Sequence, residues 1–422
     1  MEYKYSVKSC VRWGLIVSFI SFISLYGCTG LAPAKGPSVP QDSDVLPAEK
    51  DTADVSGNEL PPKEPVQLSR SSDPFVQGLA VLFIPVTYEP PMIPADVGQG
   101  DLSLPAQVKT AFQQEYERSL LSFIPLTGVL GADKLHRWTN KSRDGKTITA
   151  LVQNWQSSVP LANGWGLPSL VLAMDAEDGG AVYAIFPPIL ELLSQNRGNG
   201  RTAGLAGYGK PVTGSFLLRE GSGYAFGQRF STAFITGILN EKGFSQGNVI
   251  LESAPSLNTV PSKEVGLKAE GDVEEGFRKV WLKALDQGIF QPGFGIPDGY
   301  VSGQTDSIDS QIKFVFQTFD KARWAIVQLL GTSKQSFIIE PPFMDIFLNL
   351  HSDTGTAIAK ALSVYGFPMA DSYALPLAYL IQQPAIKTAL EQAVKAVHPY
   401  EPVMVQRYQR GLWVAFPSNA ER

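Results

Sequence analysis

Apolar and polar positions along the chain fall into three regimes that change near residues 28 and 73. Residues 13–26 form an uncharged, mostly apolar run preceded by Lys4, Lys8 and Arg12. Residues 29–72 contain no aromatic side chain and are rich in Pro, Ala, Ser, Asp, Glu and Lys. From Asp73 onward apolar residues recur with the periods of regular structure. Residues 80–86 read as a strand and 105–123 as an amphipathic helix. Residues 135–150 read as a hairpin turning at 140–145, and 167–174 have strand length. Helical spacing marks 147–155, 273–285 and 354–362, with a further helical segment at 384–397. The residues around Gln317 and Gln406 mix apolar and polar positions as half-buried strands do.

The first regime predicts export. A run of this length is short for a bilayer span, which needs about 20 apolar residues, but suits the h-region of a signal peptide behind a basic n-region. It ends at Leu25-Tyr26-Gly27-Cys28, which resembles the lipobox read by lipoprotein signal peptidase. The resemblance implies cleavage after Gly27 and a lipid on Cys28. The sulfur of Cys28 is then consumed and Cys10 is lost, so the mature chain offers no disulfide and no thiol nucleophile. The second regime buries too little apolar surface to offset its conformational entropy. It reads as a flexible tether of about 44 residues, reaching roughly 35 to 40 Å. The resulting division is signal peptide 1–27, tether 28–73, an N-terminal cap or degenerate repeat at 74–148, and a repeat domain at 149–422.

Self-similarity organises that last part. An aromatic-Gly-x-Pro tetrapeptide occurs at Trp165–Pro168, Tyr208–Pro211, Phe294–Pro297 and Tyr365–Pro368. Three of the four lead to a second signature: Gln228-Arg229-Phe230 with Ala233, Gln317-Thr318-Phe319 with Ala322, and Gln406-Arg407-Tyr408 with Gly411. Phe234, Trp324 and Trp413 follow. In the first unit 182–186 stand in a weaker form at that place. Glycine stops a helix or supplies a turn with positive φ, and proline keeps the helix from resuming. Each unit therefore reads as a helix, a tight turn and a β-hairpin, too small to bury its apolar face alone, so that neighbours stack. The units resemble LGFP-type repeats of exported bacterial cell-envelope proteins, over roughly 149–240, 275–330 and 350–417. An aromatic replaces the usual leucine before glycine, and insertions lie near 248–271 and 384–397. The resemblance implies a role in attachment to, or maintenance of, the cell wall. The fold class is α+β, a tandem helix–turn–β-hairpin array with hairpins dominant, either closed into a propeller-like ring or open.

Charge and candidate chemistry narrow the function. The chain carries a net −5 with no basic cluster interleaved with aromatics, which disfavours nucleic acid. His136, His351 and His398 are isolated and lack the partners of a metal site. There is no G-x-S-x-G elbow, and Gly221-Ser222-Gly223 reads as a hairpin turn. The glycine run at 204–209 lacks the order of a phosphate loop, and Asp175, Glu177 and Asp178 miss the spacing of a calcium loop. Nothing brings together any two of Glu191, Glu220, Glu275 and Asp320 as a glycosidase pair. The candidate ligand-binding residues are Trp165, Arg323, Trp324, Arg410 and Trp413. The indoles would serve as platforms for sugar rings, with burial in the repeat core as the more ordinary alternative. No catalytic residue, metal or cofactor is assigned. The expected function is a non-enzymatic binding or scaffold module, lipid-anchored on the extracytoplasmic face of a membrane, with cell-wall polysaccharide or an envelope protein as partner. The alternative is a hydrolase acting on envelope polysaccharide.

Overall fold

In a computed structural model the chain builds four antiparallel sheets joined by six helices among the described residues. Those residues are 64–68, 73–100, 104–124, 126–129, 134–141, 145, 147–157, 169–173, 182–185, 189–190, 192, 208–240, 245–251, 276–277, 280, 297–306, 311–319, 322–330, 335–395 and 397–418. Cys28 and the segment 1–27, read from the sequence as a signal peptide, lie outside them. Strand outweighs helix, and each sheet is open rather than closed on itself.

The first sheet contains β3 (Leu126–Val129), β4 (His136–Lys141), β5 (Thr147–Ser157), β6 (Ser169–Ala173) and β7 (Val182–Ile185), with β3 and β4 both paired to β5. The second runs in order through β8 (Phe216–Glu220), β9 (Gly223–Phe230), β10 (Ala233–Leu239) and β11 (Ser245–Ile250). The third does the same through β12 (Pro297–Asp306), β13 (Gln311–Phe319), β14 (Ala322–Leu329) and β15 (Ser336–Ile339). The fourth holds β16 (Tyr373–Pro376), β17 (Pro402–Tyr408) and β18 (Gly411–Pro417). It is completed from the other end of the sequence. β2 (Leu79–Pro85) pairs with β18 from Gly411↔Pro85 to Pro417↔Leu79, and β1 (Val66–Gln67) pairs outside it. Six of the seven residues of β2 are buried, which is why it reads as a continuous apolar run.

Two of the Gly-x-Pro turns make the same hydrogen bonds. Gly209 and Gly366 have φ of 82° and 78°. The residue before each glycine accepts from the second turn residue of the hairpin that follows, Thr232 N to Tyr208 O at 3.1 Å and Arg410 N to Tyr365 O at 3.2 Å. The residue after each glycine accepts from the first turn residue, Ser231 N to Lys210 O at 2.8 Å and Gln409 N to Phe367 O at 3.0 Å. The residue after each proline donates to the arginine of the second signature, Val212 N to Arg229 O and Met369 N to Arg407 O. Proline then sits opposite the aromatic residue in Pro211↔Phe230 and Pro368↔Tyr408, and the third unit repeats that register as Pro297↔Phe319. In all three, two residues separate the strands of the hairpin.

In two of these hairpins, those of the second and fourth sheets, a buried glutamine reaches the sheet before it. Gln228 Nε2 donates to Thr213 O at 2.9 Å and to Ala184 O of β7 at 3.1 Å. Gln406 Nε2 donates to Ala370 O at 3.3 Å and to Ile338 O of β15 at 2.8 Å. Thr213 and Ala370 each stand two residues after the proline; Ala184 and Ile338 are each third in a four-residue last strand. Phe230 and Tyr408 are both fully buried.

Helices fill the connections. α1 (Pro74–Gln77) begins at Asp73, whose carboxylate accepts from Phe75 N. α2 (Ala106–Leu121) buries Val108, Phe112, Glu115, Tyr116 and Ser119, one stripe at helical spacing. α3 (Phe343–Leu348) precedes α4 (Thr354–Tyr365), which Asp353 caps and Gly366 ends. α5 (Leu377–Ile381) and α6 (Pro384–Ala393) form the insertion inside the fourth sheet.

Several expectations change. Residues 147–155 are not helical: β5 pairs with β4 on one side and β6 on the other, and its Thr, Ile, Thr and Val suit a pleated strand. Among residues 273–285, 276–277 and 280 are helical. Within 74–148, β2 completes the fourth sheet and β4 joins the first. The folded part reaches back to Val66–Gln67, which composition assigns to the tether. In the first sheet β7 is the last strand, whereas β9, β13 and β17 stand inside theirs. β5 carries Gln153-Asn154-Trp155, a glutamine two residues before an aromatic, and Gln153 Oε1 accepts from Gly98 N at 2.9 Å while its Nε2 donates to Asp96 O at 3.1 Å. Trp165–Pro168 lies outside the described residues and follows this strand instead of preceding it. The hairpin at 135–150, the helix at 105–123 and the turn at 221–223 occur as expected.

Candidate functional site

The residues singled out for ligand binding separate in the structure. Trp413 is fully buried, with Tyr365 at 4.8 Å, Phe83 at 5.0 Å and Phe343 and Phe347 at 6.2 Å between ring centres. It is core, and offers no platform to a sugar. Arg410 Nη1 donates to Ser363 O and to Val364 O, the latter at 3.1 Å. These are carbonyls of the last turn of α4, so Arg410 caps a helix C-terminus, where a cation is favoured. Trp324 is half-buried on β14. Trp165 and the side chain of Arg323 lie outside the described residues. Of the four acids considered as a glycosidase pair, Glu220 is exposed and accepts from Asn248 at 3.0 Å; Glu191, Glu275 and Asp320 lie outside the described residues.

A cleft of about 1000 Å³ opens elsewhere. One wall is a second stripe of α2: Gln107, Thr110, Ala111, Gln114, Arg118 and Leu121 recur at helical spacing, beside the stripe that enters the core. Opposite stand the Gly-x-Pro arm of the fourth sheet, from Phe367 to Met369 with Asp371 and Gln409, and the start of β15 at Gln335, Ser336 and Phe337. Tyr88, Glu117 and Val280 contribute to the rim and walls. The lining thus combines neutral amides and hydroxyls with aromatic and aliphatic surface.

The floor is a charge cluster built on buried Glu115, with Arg118 and Asp371 partly exposed to the cleft. Glu115 is 4% exposed; its Oε1 accepts from Ala184 N at 3.1 Å and from the Tyr373 hydroxyl at 2.7 Å, and its Oε2 lies 2.6 Å from Arg118 Nη2. Arg118 also lies 3.8 Å from Asp371 and 4.9 Å over the Tyr373 ring. Burial alone would lower the Arg118 pKa, but Glu115, with Tyr373 and Asp371, more than offsets it and holds the guanidinium above its ordinary value. Burial, together with the Glu115 charge, pushes the Tyr373 phenol well above 10, against the pull of Arg118. The cluster ties α2 to the first sheet through Ala184 and to the fourth through Tyr373. Sequence reasoning missed it. The only local signal was the Glu115–Arg118 pair at i, i+3 on a predicted helix.

Among the described residues no three metal-ligating side chains converge, and no helix is long and apolar enough to cross a membrane. Compared with known proteins, the chain matches no family model, no curated protein and no solved structure.

Proposed function

We propose that this chain is an exported lipoprotein, anchored through Cys28, whose folded part of divergent LGFP-like repeats binds cell-envelope glycan non-enzymatically in the cleft beside α2. The repeat reading is supported by the matching hydrogen bonds at Gly209 and Gly366 and by the glutamine bridges from Gln228 and Gln406. A strand from the N-terminus completing the last sheet is also what a propeller-like ring closed by its own ends would use.

The observation that carries the binding reading is the lining of the cleft. Side-chain amides of Gln107, Gln114, Gln335 and Gln409 line the cleft, each carrying the donor and acceptor atoms that paired sugar hydroxyls require, with Gln409 Oε1 also accepting from Phe367 N at 2.9 Å. Tyr88, half-buried, supplies apolar surface for the face of a sugar ring, with Phe337 and Phe367 buried behind it in the wall. The carboxylate best placed for acid catalysis, Glu115, is already committed to three donors, which favours binding over hydrolysis.

Co-sedimentation with purified peptidoglycan sacculi tests this. The mature protein is expected in the pellet, and Ala111→Trp, which fills the cleft from a half-buried position on α2, is expected in the supernatant. A protein that never pellets, or a variant that pellets equally, would count against the reading. Palmitate labelling that persists in Cys28→Ser would remove the anchor.

A further inference from the structure

Arg407 is a buried cation with no counter-charge. It is 3% exposed, and its Nη2 donates to Val86 O at 3.1 Å and Thr87 O at 3.4 Å. Nη1 is buried without a hydrogen-bond partner. The guanidinium lies 5.5 Å over the Phe123 ring, and no carboxylate among the described residues pairs with it. Burial lowers its pKa to about 10, so it remains charged at neutral pH. Arg118, which lines the cleft, has both Glu115 and Asp371. A buried charge is normally paired, because desolvation without a partner is costly.

Its position points to what would supply the missing charge. The two carbonyls it holds directly precede Tyr88, a half-buried residue of the cleft, and Phe123 stands two residues beyond Leu121, which also lines it. Arg407 is thus one side chain behind the cleft wall, at the C-terminal end of α2. The cover is the start of an irregular segment, 86–94, with prolines at 90, 91 and 94, held at its first residue by Val86 N donating to Arg410 O at 3.1 Å. Of the carboxylates lining the cleft, Glu115 and Asp371 face Arg118, and Glu117 stands on α2 one turn before Leu121.

We propose that Arg407 receives an acidic substituent, a carboxylate or a phosphate, on the glycan bound in the cleft, with Tyr88 turning aside to admit it. This rests on the binding reading above and adds the charge of the ligand to it.

The test compares three sugars with one ring: N-acetylglucosamine, N-acetylmuramic acid and N-acetylglucosamine 6-phosphate, titrated by NMR into the mature protein. At least one acidic sugar is expected to bind tenfold or more tighter than the neutral one, and the two acidic arms distinguish carboxylate from phosphate. Arg407→Gln should bring that ratio to near one while leaving the neutral sugar unaffected. Arg407→Lys, which keeps the charge but not the planar fork, should retain part of the preference and serves alone if the glutamine variant does not fold. A purely structural arginine would lower the thermal midpoint in these variants without moving the ratio. Equal binding of all three sugars by the native protein, or an unchanged preference in folded Arg407→Gln or in Arg407→Lys, overturns the proposal and leaves the cleft reading intact. No binding of any of the three overturns both.

Discussion

Replacing Gln406 by leucine isolates the bridge between sheets, because the substitution conserves approximate volume and removes only polar atoms. Gln406 is fully buried. Its Nε2 serves Ile338 O at 2.8 Å and Ala370 O at 3.3 Å, and its Oε1 accepts from the Tyr408 hydroxyl at 3.3 Å. The change leaves two buried carbonyls and one phenol short of a partner. Each orphaned group costs about 1 to 3 kcal/mol, with carbonyls at the low end because they keep a second lone pair. The extra apolar burial of leucine returns about 1 kcal/mol. The net expectation is a loss of about 2 to 4 kcal/mol, a large share of a typical stability of about 5 to 15 kcal/mol. Urea unfolding followed by tryptophan fluorescence reads it as a lower midpoint at unchanged slope. Gln228→Leu should cost somewhat less, since Phe230 has no hydroxyl to strand. A change below about 0.5 kcal/mol in Gln406→Leu would refute the view that these bridges hold the units together.

Phe230→Tyr should be neutral or stabilising by up to about 1 kcal/mol, because Gln228 Oε1 lacks a partner and the equivalent Tyr408 hydroxyl supplies one to Gln406. A loss of about 2 kcal/mol or more in its unfolding midpoint would show that the two rings are not equivalent. Gly366→Ala should cost about 1 to 3 kcal/mol, since φ is 78° with ψ of −173° and a Cβ would stand 2.7 Å from Gln409 Cβ. Gly221→Ala, at φ of 63° with nothing within 4 Å, should cost less; equal losses in thermal unfolding would mean that the crowding at Gly366 is unimportant.

The coupling of Gly-x-Pro to Gln-x-aromatic was legible in the sequence because both halves lie in short, contiguous motifs. The hairpin around 140–145 and the helix around 105–123 were legible for the same reason: their periods are local. The misreading of 147–155 as a helix has a tertiary cause. β5 is buried between β4 and β6, so Leu151, Val152, Gln153 and Trp155 are all enclosed and the two-residue alternation is blurred. The same error hid Gln153 and Trp155, which stand on β5 ahead of the Gly-x-Pro segment at 165–168. The floor of the cleft was beyond local reading, since Glu115 and Tyr373 are 258 residues apart in sequence. Arg407 stood inside a recognised motif, but its lack of a counter-ion emerges only when β2, α2 and β17 are brought together. Trp413 followed the general rule that an aromatic at a repeated position builds the core.

Hydrogen exchange read by mass spectrometry, with and without soluble muropeptides, tests the central claim most directly, because it reports where a ligand rests as well as whether it binds. Added ligand is predicted to slow exchange in two segments far apart in sequence, 107–121 on α2 and 367–371 beside β16, and to leave the hairpin turns at 231–232 and 409–410 nearly unchanged. Protection confined to the hairpin turns, or no protection at saturating ligand, would contradict a glycan site between α2 and the Gly-x-Pro arm.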